Sequence, residues 1–399
     1  MQVPRCLCAS LEENGLGTCD TPLFPCAALP YTAPMPFDVR EFPAGAEAEA
    51  RSRRAVGLWL LGCAFMVFIM VVLGGATRLT GSGLSIMEWK PIMGALPPLS
   101  HADWEHLFRL YQNIPQYRLL HDGMDLDGFR RIFWLEWTHR LWGRLIGLAF
   151  LLPLIWFWAR GAIARRLRPR LALLFVLGGL QGAVGWFMVA SGFFPDSIAV
   201  SPYRLVIHLG LALVLYAALL WTALTVLRPV PDTAPGAPRR MLQALVGLAA
   251  LTIVAGGFTS GTHAGKIYNT FPLMDGRLVP AAYADLSPFL RNLTENVAAV
   301  QFDHRLLATA TALLALATVA AGLARGQPAS LRGALAALGL AVGAQYALGV
   351  ATLLNGAPPG LATLHQAGAV LLLTAALVAL HAARRAAPAR VPALTPETP

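Results

Sequence analysis

Four histidines, His139, His208, His304 and His365, stand at matching places in two similar halves of this chain, each near the start of an apolar run. Imidazole is a neutral nitrogen ligand for transition metals and the commonest axial partner of haem iron. Two such runs per half would bring two imidazoles face to face inside a helical bundle, which is how a planar iron porphyrin is clamped in lipid. The pattern predicts two haem sites, one per half. A bare metal ion is the other ligand that four histidines suit.

The two halves differ in one chemically telling position. Three residues before His139 stands Glu136, whereas the matching residue before His304 is Gln301. Residues three apart share a helix face. A carboxylate one turn from a ligated haem can orient water or accept a proton, and an amide cannot do the latter. The asymmetry predicts a reacting site in the N-terminal half and a non-reacting cofactor site in the C-terminal half. The plainer role for Glu136 is an ion pair with Arg140 at the helix start.

Around these positions Gly143, Gly147, Gly210, Ala308 and Gly368 would give a flat macrocycle room between closely packed helices. Arg140, Arg144 and Arg305 have the fork geometry that suits haem propionates, or would snorkel to the interface. His101, His106, His121 and His263 fall in connections and His381 at a helix end, where a solvated surface position is expected.

Positioning such residues falls to the apolar runs. Hydrophobic residues make up 56% of the chain and charged ones 13%, with a mean hydropathy of +0.57, far more apolar surface than a water-soluble domain needs. A spanning helix takes about 20 apolar residues. Eight stretches qualify, 56–77, 131–158, 171–191, 204–227, 241–259, 297–324, 333–354 and 361–383. The fold class expected is all-α, eight transmembrane helices arranged as two tandem, pseudo-symmetric four-helix bundles.

An internal repeat sets the halves. VLGGATRLTGSG from Val72 recurs as VAGGFTSGTHAG from Val254, and LEWTHRL from Leu135 as VQFDHRL from Val300. GLQGAVGWFMVASG from Gly179 recurs as GAQYALGVATLLNG from Gly343, keeping Gln181 against Gln345 and Gly185 against Gly349. Pro202 and His208 align with Pro359 and His365. Because four spans per half is an even number, both halves point the same way through the membrane. The expected organisation is a disordered tail over 1–50, an N-terminal half over 55–228 with the substrate site, a linker over 229–240, a C-terminal half over 241–384 with the cofactor site, and a tail over 385–399.

The formal charge of +10 is distributed as arginine clusters between spans: Arg51, Arg53 and Arg54; Arg160 to Arg170; Arg228, Arg239 and Arg240; Arg325 and Arg332; Arg384, Arg385 and Arg390. The opposite connections near Asp196 and from Asn355 to Gly360 carry no Lys or Arg. By the positive-inside rule both termini are cytoplasmic, so all four histidines lie near the outer face. The basic balance thus reports topology, and nucleic acid is not an expected partner. Cys6, Cys8, Cys19 and Cys26 lie in the N-terminal tail without a zinc-like spacing, and Cys63 reads as core filler. The tail shows no cleaved signal, and Met35 is an alternative start, which leaves residues 1–34 open. The two long connections follow the first and fifth spans. In one of them Ser100 with Asp103 starts an amphipathic helix that Pro115 ends, lying on the outer surface or capping the bundle.

At these residues the chain resembles the haem A synthase family. The motifs are Glu136-Trp137-Thr138-His139-Arg140, GGATRLTGSGLS from Gly74, the Asn269 to Gly276 segment, and Asp303-His304-Arg305, within a resemblance covering about 55–385. The resemblance implies oxidation of a ring methyl of haem O to the formyl group of haem A, by successive hydroxylations with loss of water from the diol. It implies that His139 and His208 flank the substrate haem, that His304 and His365 ligate the iron of a resident haem b, and that Glu136 is catalytic. Some members carry a cysteine pair in the outer loops. This chain resembles the branch without one, so a relay through a loop disulfide is not expected.

The expected setting is a bacterial inner membrane, with an assembly role toward cytochrome oxidase. Expected partners are haem O, haem O synthase, an unidentified electron acceptor or donor, lipid, and a second copy in a homo-oligomer. Two other classes compete. A di-haem b-type electron-transfer cytochrome explains four histidines but leaves Glu136 without a task. A haem-handling transporter explains the duplication but not the shared histidine depth.

Overall fold

The computed structural model describes residues 46–90, 93–195, 197–229, 236–324 and 327–384. The expectations for the tail cysteines, for a start at Met35, for Asp196 and Arg325, and for the tail over 385–399 lie outside them. The described residues form ten α-helices: α1 Ala46–Leu79, α2 His101–Gln112, α3 Pro115–Leu120, α4 Leu126–Ala159, α5 Arg168–Ala190, α6 Pro202–Leu227, α7 Arg239–Gly261, α8 Val297–Leu323, α9 Ala329–Leu354 and α10 Pro359–Ala382. All but α2 and α3 are long and apolar enough to cross a membrane, eight in all, as the hydropathy pattern requires.

The helices overrun their apolar stretches where the flanking residues favour helix. Ala46–Ala50, expected in the tail, already belong to α1, because an Ala- and Glu-rich segment continues the helix without a break. Arg239 and Arg240, expected in the linker, open α7. Helix starts follow local chemistry. Pro202 and Pro359 occupy the first turns of α6 and α10, where a missing N–H costs nothing. Asn296 caps α8 by accepting from the N–H groups of Ala298 and Ala299, and Asp125 caps α4 through Gly128.

In the first half α1 packs on α4 and α6, and α5 joins α4 to α6. In the second, α7, α8, α9 and α10 close a matching ring. Between the halves α1 lies against α10 and α6 against α7, with α6 also touching α10. The first helix of each half thus meets the last helix of the other, the contact pattern of a two-fold axis running along the helices. The core of the first bundle, around Val56, Leu60, Leu171 and Ala223, runs on into Val370 and Leu373 of α10. A second core forms around Leu242, Leu245, Leu331 and Leu335. Phe65, Leu152 and Leu340 face outward and are 60%, 60% and 77% exposed, as a lipid-facing surface demands.

The connection between α1 and α4 builds a cap. Ser100 and Asp103 form the reciprocal capping box that starts α2, and Pro115, expected to end a helix, also begins α3. Leu84, Trp104, Tyr111, Ile114, Phe129 and Phe133 make its core. Within the cap, Tyr111 is fully buried. Its hydroxyl donates to Gln116 Oε1 at 3.1 Å and lies 2.6 Å from His121 Nδ1, while Gln116 Nε2 donates to the Gly81 carbonyl at 3.1 Å. The other long connection is held at its end by Asn296, whose amide donates to Ala282 O at 2.6 Å and to Asn292 Oδ1 at 2.8 Å.

Candidate functional site

The helices that carry the histidines all start on the side of the two long connections. His208 stands six residues after Pro202, His365 six after Pro359, and His304 seven after Val297. At 1.5 Å per residue each lies about 9–10 Å along its helix. In the second half the His304 and His365 rings are 6.3 Å apart between centroids and nearly perpendicular, at 83°. With metal–imidazole bonds of about 2.0–2.1 Å, two rings bound on opposite sides of one metal have centroids about 6–6.5 Å apart. The pair fits a single iron between them.

Each histidine ring rests on a glycine of a neighbouring helix. A Cβ at Gly256 would lie 2.9 Å from His304 Cε1, at Gly349 2.8 Å from His365 Cε1, and at Gly185 2.9 Å from His208 Cε1. At Gly74 it would lie 3.1 Å from His139 Nε2. The first three distances are too short for a real side chain, so only glycine admits the rings in these poses. Gly74 and Gly256 are repeat equivalents, as are Gly185 and Gly349. The small residues expected to give a macrocycle room stand elsewhere than under the rings: a Cβ at Gly147 or Gly210 would have nothing within 4 Å, one at Gly143 would face Met70, and one at Gly368 would face Gln345.

A second regularity lies one turn before each glycine. The carbonyl of Thr252, four residues before Gly256, lies 3.2 Å from His304 Nδ1. Gln345, four before Gly349, has its Nε2 3.1 Å from His365 Nδ1 and donates to the His365 carbonyl at 2.9 Å. Gln181, four before Gly185, also donates to the carbonyl of its histidine, His208, at 3.0 Å, and its Nε2 lies 3.2 Å from His208 Nδ1 and 3.4 Å from His208 Nε2. His139 differs: it turns Nε2 toward the glycine, and among the described residues it makes no side-chain hydrogen bond. Gln181 and Gln345 were visible as repeat partners, but nothing in their type marked them as histidine partners.

Glu136 is buried, 2% exposed, and its carboxylate is fully engaged. Arg140 donates to Oε1 through Nη2 at 2.6 Å and Nε at 3.0 Å. Oε2 accepts from the Ser85 hydroxyl at 2.7 Å and the Ile86 N–H at 2.9 Å. Arg140 also donates to the carbonyls of Ile86 and Glu88, at 2.7 Å and 3.2 Å. In the second half Gln301 donates to Ala264 O at 2.9 Å, while Arg305 donates to Thr270 O at 2.9 Å and Tyr268 O at 2.5 Å. Both pairs therefore stitch the segment after the first helix of their half to the histidine helix. Arg144 donates to Lys90 O at 2.9 Å. The three arginines picked out as propionate partners are spent largely on loop carbonyls.

Other histidines depart from expectation. His381, expected to be solvated, is 2% exposed, edge-on to Trp221 and 3.4 Å from Thr225 Oγ1, because the ends of α6 and α10 pack together there. His121 is half-buried against Tyr111, and burial holds its imidazolium below the ordinary range. His101 and His106 are exposed, as expected. His263 is exposed and left-handed at φ 57°, at the repeat position of Gly81, whose φ is 72°. Arg78, absent from the candidates, lies one turn beyond Gly74 and donates to the hydroxyl and carbonyl oxygens of Ser260. Cys63 is buried in the first core, as expected.

Among the described residues no group of three or more His, Cys, Asp and Glu comes together that could hold a bare metal ion. The histidines instead lie on glycines of neighbouring helices, and His304 and His365 face each other at a spacing that a haem iron held by both would need.

The pattern of one family, described as Cytochrome oxidase assembly protein, matches residues 57–377. Among curated proteins, the heme A synthase of Granulibacter bethesdensis is 62% identical over 85% of this chain and 90% of its own length. That of Rhodospirillum centenum is 52% identical over 86% and 91%, and heme A synthase 2 of Acidiphilium cryptum is 49% identical over 83% and 92%.

Proposed function

We propose a reaction from one premise: the chain belongs to the cytochrome oxidase assembly family COX15-CtaA, together with proteins named heme A synthase. On that premise it is a membrane oxidoreductase that converts the ring methyl of haem O to the formyl group of haem A. The N-terminal half takes haem O as substrate between His139 and His208. The C-terminal half holds a resident haem b through His304 and His365, and that group, when bound, supplies one-electron transfer.

The observation that carries this division is a difference between two otherwise matched pairs. His304 and His365 each have a hydrogen-bonding group at Nδ1, from Thr252 and Gln345, whereas in the other half Gln181 lies against both ring nitrogens of His208, at 3.2 Å and 3.4 Å, and His139 has no side-chain hydrogen bond among the described residues. A hydrogen-bond partner on the ring nitrogen that does not bind iron fixes the ring's orientation and strengthens it as a ligand. A permanent cofactor is served by two anchored ligands. A substrate that must leave as product is served by one anchored ligand and one free to turn, and His139 is that one.

Glu136 is the group for acid–base work in this reading, one turn from His139. Its four donors leave no vacant lone pair, so it takes up a proton only when one of them gives way. The Ser85 hydroxyl is suited to do so, since it lies 3.5 Å from the Ile132 carbonyl as an alternative acceptor. Arg140 keeps Oε1 in place meanwhile. Each oxidation of the carbon releases protons, and a carboxylate so placed receives them.

The setting proposed is the bacterial inner membrane with both termini cytoplasmic, haem O arriving from haem O synthase. Expressing the chain in a host supplied with haem O, then extracting haems and taking pyridine haemochrome spectra, tests the activity: haem A must appear only when the chain is present. Loss of haem b from purified His304→Ala protein, with folding retained by circular dichroism, tests the resident site. An electron-carrying cytochrome would retain both haems and make no haem A.

A further inference from the structure

We propose that haem O enters the N-terminal half sideways from the bilayer, and haem A leaves it, through an opening between α4 and α5 whose counterpart in the C-terminal half is tied shut. The proposal rests on the reading that the first half takes the substrate and the second a resident haem, and it adds the route.

The repeat makes each half a reference for the other. In the C-terminal half α8 and α9 pack as closely as α1 and α4 do, and a tie crosses their seam. The Tyr346 hydroxyl lies 3.1 Å from Thr309 Oγ1, and Phe271, from the segment after α7, stands edge-on to the Tyr346 ring, 6.4 Å between centroids at 77°. In the N-terminal half the seam between α4 and α5 is the loosest of the ring. The residues at the repeat positions of Thr309 and Tyr346 are Arg144 and Gly182. Gly182 is exposed, and a Cβ there would have nothing within 4 Å. Arg144 donates to the Lys90 carbonyl, at 2.9 Å. Trp89, at the repeat position of Phe271, lies against Trp186, 5.8 Å between centroids, one turn beyond Gly182 toward the end of α5. The aromatic cover thus sits above the gap instead of in it.

The ends of the first bundle are closed. The cap covers the outer end, with Leu84 and Phe133 buried in its core and Leu84 filling the space where a Cβ on Gly192, just beyond α5, would stand. Phe150, Leu154, Leu171 and Leu174 fill the inner end. A large, mostly apolar macrocycle partitions into lipid, not water, so it meets the protein on the side where the seam is open.

Closing a portal slows entry and exit by the same factor and leaves affinity alone, because neither end state changes. The test uses the purified full-length chain carrying its resident haem in phosphatidylcholine vesicles. Haem O uptake is followed by stopped-flow absorbance, and release as loss of the ligated spectrum on mixing with excess protein-free vesicles. Gly182→Tyr, which gives α5 the residue of α9, should slow both rates about tenfold or more with the dissociation constant nearly unchanged. Tyr346→Gly opens the other seam, and release of the resident haem should quicken about tenfold. Wild-type rates in Gly182→Tyr would overturn the portal and leave both haem sites standing. So would a raised dissociation constant with uptake unslowed, which makes Gly182 a lining residue. Should Gly182→Tyr not fold, Tyr346→Gly decides alone. A wild-type chain that takes up no haem O overturns the substrate reading, and this route with it.

Discussion

Arg78 at the end of α1 donates to Ser260 at the end of α7, the residue that occupies its own position in the second repeat. Two equivalent positions touch only where the pseudo-two-fold axis passes between them. The axis thus carries one cation, and among the described residues no carboxylate lies within ion-pair distance of it. Arg78→Ala should lower stability by about 1.5–3 kcal/mol, the worth of hydrogen bonds to a charged group. Ser260→Arg should be worse, because it sets two guanidinium groups against each other. Thermal unfolding in detergent reads both, and equal effects would mean the contact is incidental.

Gly349→Ala places a methyl 2.8 Å from His365 Cε1. Either the ring or the helix must move, at about 1–3 kcal/mol for an overpacked contact. Haem retention by the purified protein should fall about tenfold or more, as Gly185→Ala should weaken binding of haem O. Gly333→Ala, exposed near the start of α9 with open space around it, is the control and should leave both unchanged.

Glu136→Gln gives the N-terminal half the residue of the C-terminal half. Arg140 keeps its acceptor, but an amide nitrogen now faces the Ile86 N–H, and the proton acceptor is gone. Haem A formation should fall by about 100- to 10,000-fold, the usual worth of general acid–base catalysis, with haem b content preserved and haem O or a hydroxylated intermediate accumulating. Ser85→Ala keeps the carboxylate and should cost much less. Near-normal haem A from Glu136→Gln would leave Glu136 a helix-end partner of Arg140.

From the arginine distribution Arg239 is expected inside and Gly356 outside. A phosphatase fused after Gly356 should be active and one fused after Arg239 inactive, the reverse being fatal to the orientation.

Burial keeps His121 neutral in the folded cap to a pH below its ordinary value of 6.5. A depressed imidazole stabilises the fold in full above the unfolded value and loses that contribution as pH falls through the window beneath it, where the unfolded chain binds the proton first. Neutral His121 can donate Nδ1–H to the Tyr111 oxygen, passing the bond on to Gln116. The protection of amides over 101–124, taken relative to the intrinsic exchange rate at each pH, should therefore fall as pH drops from 7 to 5, and His121→Phe should flatten that dependence.

The eight spans and the α2 capping box were legible because hydropathy and capping are local properties. The paired histidines were legible because duplication wrote the pattern twice. The role of Arg140 and Arg305 was not, since the carbonyls they hold belong to loops whose direction no local rule fixes. Nor was the floor under the rings: Gly74, Gly185, Gly256 and Gly349 act across helices, which spacing along one helix does not report. His381 was misread for a related reason, because helix-end position says nothing of what the neighbouring helix covers.

A two-fold axis running along the helices sets both histidine pairs at one depth in the bilayer. Charge moved from one pair to the other travels parallel to the membrane plane, so it crosses none of the transmembrane voltage, which would otherwise weigh about 2.3 kcal/mol per charge per 100 mV. Were haems held by the two pairs as proposed, electron transfer between them would on this geometry be indifferent to whether the cell is energised, and only the steps that bring charge in from either face would feel the field.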